Sequence, residues 1–98
     1  MRRLLSPLVA TELDPSAPFE LDPQVALRPE PFGALAYHYG NRRLTFLRAP
    51  ELVELVRTLG EHPSVDAALA ASTISAPRWP SFRKALASLH ESEVIRAR

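Results

Sequence analysis

Catalysis or metal binding in this chain would have to be built from three histidines and eleven carboxylates. A protein metal site places its ligands on one face at fixed spacing, as two histidines one helical turn apart do. His38, His62 and His90 fall one to a segment with no such spacing, which is the distribution of surface or partly buried histidines, and no metal site is expected. Glu51 with Glu54, and Glu91 with Glu93, read as solvated helix-surface charges rather than an acid–base pair. The sequence holds no nucleophile elbow, no phosphate-cradling loop and no dinucleotide fingerprint, and it has three glycines from which to build any of them. With no cysteine there is no disulfide, thiolate zinc site, iron–sulfur cluster or thiol nucleophile, which fits a cytoplasmic protein. What remains is a binding module that is not an enzyme and needs no cofactor.

The charge pattern narrows the choice of partner. Twelve basic against eleven acidic residues leave a formal net charge of +1, so nothing sequence-wide calls for nucleic acid or an anionic membrane. Any electrostatic case is local, and Arg42, Arg43 and Arg48 supply one. No apolar run approaches the roughly 20 residues of a membrane span. The start, "MRRLLSPLVATELDP", imitates a signal peptide, but Ser6-Pro7 breaks its short apolar run and Glu12 and Asp14 follow. Residues 1 to 18 are read as a flexible N-terminal tail, and 19 to 98 as one domain.

The elements that position these residues follow from periodicity. Val25 to Leu27 read as a short first strand, closed by Pro29 and Pro31. "YHYGNRRLTF", Tyr37 to Phe46, reads as a β-hairpin with a two-residue primed turn at Gly40-Asn41. Counting from that turn pairs Leu35 with Phe46, Tyr37 with Leu44 and Tyr39 with Arg42. Those residues share one face, and Ala34, Ala36, His38, Arg43, Thr45 and Leu47 take the other. One face should pack on helices and the other should be thinner or wetter.

After Arg48 the period changes from 2 to 3.6. Pro50 opens a first helix with Leu52, Leu55, Val56 and Leu59 as its stripe, ended by Gly60, although Ala49 is a poor cap. Ser64 caps a short second helix. A third, opened by Pro80, carries Trp79, Phe82, Ala85, Leu86 and Leu89 on one side. Three strands followed by three helices make an α+β domain whose helices cover one face of an antiparallel sheet.

Within that domain Arg43 to Arg48 is the last strand of a meander, and one of its edges has no neighbour. Charged residues on such an edge guard against self-pairing. The sharper reading is that the edge accepts an extended peptide, whose main chain continues the sheet while side chains drop into a trough against the third helix. The binding residues expected on that reading are Arg43, Leu44, Thr45, Phe46, Leu47 and Arg48 from the strand, with Trp79, Phe82, Arg83, Leu86 and Leu89 from the helix. Plain core is the competing assignment for the apolar members. The counted register also poses the question of whether the Leu47 amide faces outward.

The stretch "ALRPEPFGALAYHYGNRRL", within Phe19 to Val56, resembles the MftB family of mycofactocin-biosynthesis peptide chaperones, relatives of the PqqD-like chaperones of pyrroloquinoline quinone biosynthesis. The resemblance continues less distinctively to about Val94. It implies a RiPP recognition element: a winged helix-turn-helix-like domain whose last strand and third helix hold the leader of a ribosomal precursor peptide of the MftA kind. It also implies a radical S-adenosylmethionine maturase of the MftC kind as the partner that performs the chemistry, which suits a chain without cluster-ligating thiolates.

Two other readings compete. Winged helix-turn-helix domains also bind DNA, and Arg78, Arg83, Lys84 and His90 would be the contacting face of the third helix. Near-neutral charge and the acidic Glu91 and Glu93 stand against it. In the other, the chain is a structural subunit with Tyr37, Tyr39 and Phe46 anchored in a permanent interface.

Overall fold

The computed structural model describes residues 13–98. Its strands are β1 (Phe19–Leu21), β2 (Val25–Glu30), β3 (Gly33–His38), β4 (Leu44–Leu47) and β5 (Ile95–Ala97); its helices are α1 (Pro50–Thr58), α2 (Val65–Ala71) and α3 (Trp79–Glu91). β2, β3 and β4 form an antiparallel sheet in that order. This is an α+β fold, a three-stranded antiparallel sheet followed by three helices, compatible with a winged-helix-like domain.

Side-chain size decides which face of the sheet meets the helices. Ala34, Ala36 and Leu47 are buried, and α1 packs on β3. Small residues on β3 let the helix backbone come close, while Leu47 joins Leu55, Val56, Leu69 and Leu86 in one core cluster. Burying each leucine contributes about 1.5–3 kcal/mol. The bulkier face, with Leu35, Tyr37, Leu44 and Phe46, is the one turned away from the helices. Leu44 is 60% and Phe46 50% exposed.

The register counted from the sequence holds from Ala34↔Leu47 to Tyr37↔Leu44, but the turn differs. Tyr39 does not oppose Arg42: its N–H donates to Gln24 O, while Arg42 N–H donates to His38 O. Neither Gly40 nor Asn41 has positive φ, and Arg42, at φ 64°, takes the left-handed position. Side chains explain this. His38 Nδ1 accepts from the N–H groups of Gly40 and Asn41 at 3.0 and 3.1 Å, and Asn41 Oδ1 accepts from Arg43 N–H. Such side-chain acceptors replace the main-chain bonds of a primed turn and lengthen the loop. Asn41 Nδ2 also donates to Glu93 Oε1, tying the tip to the turn after α3.

The β2–β3 hairpin turns through Pro31 and Phe32, between the paired Glu30 and Gly33. Gly33 sits at φ 148°, and a Cβ there would collide with the Leu47 carbonyl oxygen of β4. Only glycine suits both demands.

A second sheet, missed by sequence reading, joins β1 to β5 with Phe19↔Ala97 and Leu21↔Ile95. Each strand is three residues long, too short for alternation to register. β5 is launched by the end of α3, where Glu93 adopts φ 66° and Val94 N–H reaches back to Leu89 O, a Schellman closure. Leu13 and Ala17 pack on the core, and Pro15 O accepts from Asp66 N–H at the start of α2. The remainder of the expected tail, residues 1–12, lies outside the described residues.

The helix ends follow their caps. Ser64 Oγ accepts from Ala67 N–H at 3.0 Å, as expected of the α2 cap. Ala49 leaves α1 without a side-chain cap, and Glu51 in its first turn offsets part of that loss.

Candidate functional site: the free edge of strand β4 and the groove beside α3

In an antiparallel ladder, residues alternate between pointing their N–H and C=O at the neighbouring strand and pointing them away. His38 N–H donates to Arg43 O, which fixes the phase. Arg43, Thr45 and Leu47 therefore bond to β3, and Leu44 and Phe46 turn their main-chain groups to the other side, where no strand lies among the described residues. The Leu47 amide faces inward, which answers the question raised by the register. The same count applied to β2, phased by the bond from Tyr39 N–H to Gln24 O, turns Val25, Leu27 and Pro29 outward.

The two edges differ in consequence. Pro29 has no N–H, so the β2 edge lacks a donor at the last position of its outward row, an edge-strand placement typical of proline. Val25 N–H is already committed to Asp22 O. The β4 edge carries no such interruption, and Leu44 and Phe46 are not proline.

Beside the end of β4 lies a groove of about 210 Å³, lined by Arg48, Ala49, Leu52, Ser81, Phe82 and Ala85. Its lining joins the end of β4, the start of α1 and the first two turns of α3, where sequence reading expected a trough. A larger hollow of about 270 Å³ lies between α1 and α2 and shares no lining residue with β4 or α3. Glu51, Glu54 and Glu61 line it and no strand edge adjoins it, so an extended chain has nothing there to pair with.

The expected binding residues divide. Phe82 lines the groove, and Arg48 stands at its wall with its guanidinium 5.1 Å from the Phe46 ring centroid. Leu44 and Phe46 are exposed on the outer face, and Arg43 is exposed beside the turn. Thr45 is half-buried, and Leu47, Leu86 and Leu89 belong to the core. Trp79 is half-buried, its indole N–H held by Ile74 O at 2.8 Å. Arg83 is bonded through both Nε and Nη2 to Asp66 Oδ1, at 3.0 and 2.9 Å, which fastens α3 to α2. Sequence reading did not count Ala49, Leu52, Ser81 and Ala85 among the binding residues. The α3 stripe was counted as one face; Phe82, Leu86 and Leu89 all belong to the core, and Phe82 also forms part of the groove wall with Ser81 and Ala85.

The cations near the site divide into paired and unpaired ones. Among the described residues Arg42, Arg43, Arg48 and Lys84 form no salt bridge, while Arg78 pairs with Glu51 at 3.4 Å and Arg83 with Asp66. The same pairings occupy two of the cations that a DNA-contacting face would need, Arg78 just before α3 and Arg83 on it. Backbone hydrogen bonding at the start of α1, aided by Arg78, holds the Glu51 carboxyl below its ordinary range. No group of three or more histidine or carboxylate side chains is placed to hold a metal ion among the described residues.

The site thus consists of a strand edge beside an apolar groove, flanked by arginines that form no ion pair among the described residues. The Peptide chaperone MftB family matches residues 18–96, and the chain belongs to that family. It is 42% identical to Peptide chaperone MftB of Mycolicibacterium smegmatis over 84% of this chain and 80% of that one. It is 40% identical to the Mycobacterium ulcerans protein of the same name, over 88% of this chain and 79% of that one. The Mycobacterium tuberculosis protein of that name is 37% identical over the same shares. No solved structure matches the chain. A chaperone's role is non-catalytic, in agreement with the reading of the residues.

Proposed function

We propose that the chain captures the leader of a mycofactocin precursor peptide as an added strand on β4 and presents the peptide to a radical S-adenosylmethionine maturase. The observation that carries this reading is the asymmetry of the two sheet edges. β4 offers outward main-chain groups at Leu44 and Phe46 next to the groove, and β2 is interrupted by Pro29. An added strand gains main-chain hydrogen bonds from the edge, and its alternate side chains reach opposite sides. Those on the inner side meet Leu52, Phe82 and Ala85; those on the outer side lie beside Leu44 and Phe46. Arg43 and Arg48 give charge-assisted contacts to acidic residues of the peptide.

Holding the leader raises the effective concentration of the peptide's reacting end at the maturase, which supplies all the chemistry. Calorimetric titration with a synthetic precursor, using a scrambled leader as control, tests the proposal. Sequence-dependent one-to-one binding is expected, and equal binding of the scrambled peptide would contradict it.

A further inference from the structure

The face of the sheet opposite the helices is an aromatic surface that peptide capture at the edge does not use up. Phe32 stacks on Phe46 at 5.6 Å with the rings 11° apart, and Tyr37 meets Tyr39 edge-on at 5.2 Å. The pairs Leu35↔Phe46 and Tyr37↔Leu44 join these into one patch across β3 and β4. Tyr39 is 63% exposed, so the largest side chain at the tip stands in solvent. Contiguous apolar surface of this kind marks an interaction site more often than a solvated face.

The rim carries the second half of the inference. Arg28 and Arg48 lie on the same face by strand parity, and Arg42 is exposed at the tip. Glu30, bonded to Arg28 at 3.3 Å, is the acidic side chain that the strands contribute on this side. A second copy of the chain would bring a like-charged rim against this one, which costs free energy at close range. The complementary occupant is a different folded protein whose apolar contact surface is ringed by carboxylates.

We infer that the aromatic face of the sheet is the surface on which the peptide-modifying enzyme docks, through an apolar patch with an acidic rim. The inference rests on the peptide-presentation reading above. A peptide on β4 and an enzyme on the adjoining face share the border at Leu44 and Phe46, so both partners are held side by side and the peptide's free end emerges next to the enzyme. Aromatic side chains at the patch centre are the expected anchors, with the arginine rim accelerating encounter.

The test uses the full chain, the synthetic precursor peptide and the purified mycofactocin maturase. The variant Tyr37→Asp/Tyr39→Asp places carboxylates opposite an acidic rim while leaving the β4 edge and the groove untouched. Arg28→Glu, at a side chain 78% exposed, alters the rim without touching the core and guards against misfolding of the double variant. The expected result is peptide affinity within about twofold of the parent for both variants. Maturase binding by interferometry should weaken tenfold or more for the double variant and several-fold for Arg28→Glu, the latter difference shrinking in high salt. Parental maturase affinity in both variants, with circular dichroism showing native folds, would overturn the inference. So would concentration-dependent dimers of the parent chain that the double variant abolishes, because the face would then cover a second copy. Failure of the parent to bind the peptide while maturase docking still responds to the variants would instead refute the presentation reading and leave the docking surface in place.

Discussion

The two edges of the central sheet are built from the same hairpin arithmetic and come out opposite. On β2 the outward row includes Pro29, which cannot donate, and Val25, whose amide is used by Asp22. On β4 the outward row is Leu44 and Phe46, beside a groove that α1 and α3 keep open. An exposed edge invites self-pairing, and natural sheets close such edges with proline or charge. Here β2 is closed by proline, and β4 is flanked by arginines that leave its main chain available. The phase of hydrogen bonding, rather than the presence of a strand, decides which main-chain groups an edge leaves unengaged.

That comparison is broken or sharpened most strongly by proline on β4. Leu47→Pro removes an inward ladder bond and disturbs a core position, so it should cost about 3 kcal/mol or more of stability, read as a falling midpoint in denaturant. Phe46→Pro removes an outward donor instead. It should stay folded by circular dichroism and lose about a hundredfold in peptide affinity, whereas Phe46→Ala, which keeps the amide, should lose about tenfold or less. Equal losses for the two Phe46 variants would mean that the main chain of β4 does not take part.

Charge comes next in size. Arg43→Glu should weaken capture about tenfold at low ionic strength, and the difference should shrink as salt rises. A loss indifferent to salt would indicate a damaged fold. Pro29→Val restores a donor to the β2 edge and should leave peptide affinity unchanged while promoting weak self-association, measurable by sedimentation. The smallest effect belongs to Glu51, whose carboxyl is held below its ordinary 4.5 by backbone hydrogen bonding and then by Arg78. A depressed carboxylate adds stability above its unfolded-state value and loses it as pH falls through its folded value. Glu51→Gln should therefore flatten the acid side of the stability profile below about pH 4.5 slightly and change nothing near neutrality.

Much of this was legible in the sequence because it depends on local counting. The order of three strands and three helices, the pairing of Leu35 with Phe46 and the Ser64 cap follow from periods of 2 and 3.6 and from side-chain chemistry within a few residues. The losses have physical reasons of the opposite kind. The Gly40-Asn41 turn was overruled by the His38 imidazole, which captures two amides that a primed turn would leave to solvent. The β1–β5 sheet joins segments from the two ends of the domain, so neither strand carries a pattern of its own. Which face of the hairpin is buried turned on volume: alanines admit a helix, and the bulkier face is left outside. At the candidate site, the edge was readable from strand order, but the groove's true lining required the rotation of α3, which leaves Ser81 and Ala85 at the groove, buries Leu86 and Leu89, and gives Phe82 to both core and groove wall.

The most direct test of strand addition is amide hydrogen exchange by nuclear magnetic resonance, with and without the precursor peptide at saturation. The outward amides of Leu44 and Phe46 should slow markedly on binding, and that of Leu27 on the opposite edge should not change. Saturated peptide that leaves Leu44 and Phe46 exchanging freely, or that protects Leu27 instead, would contradict capture at the β4 edge.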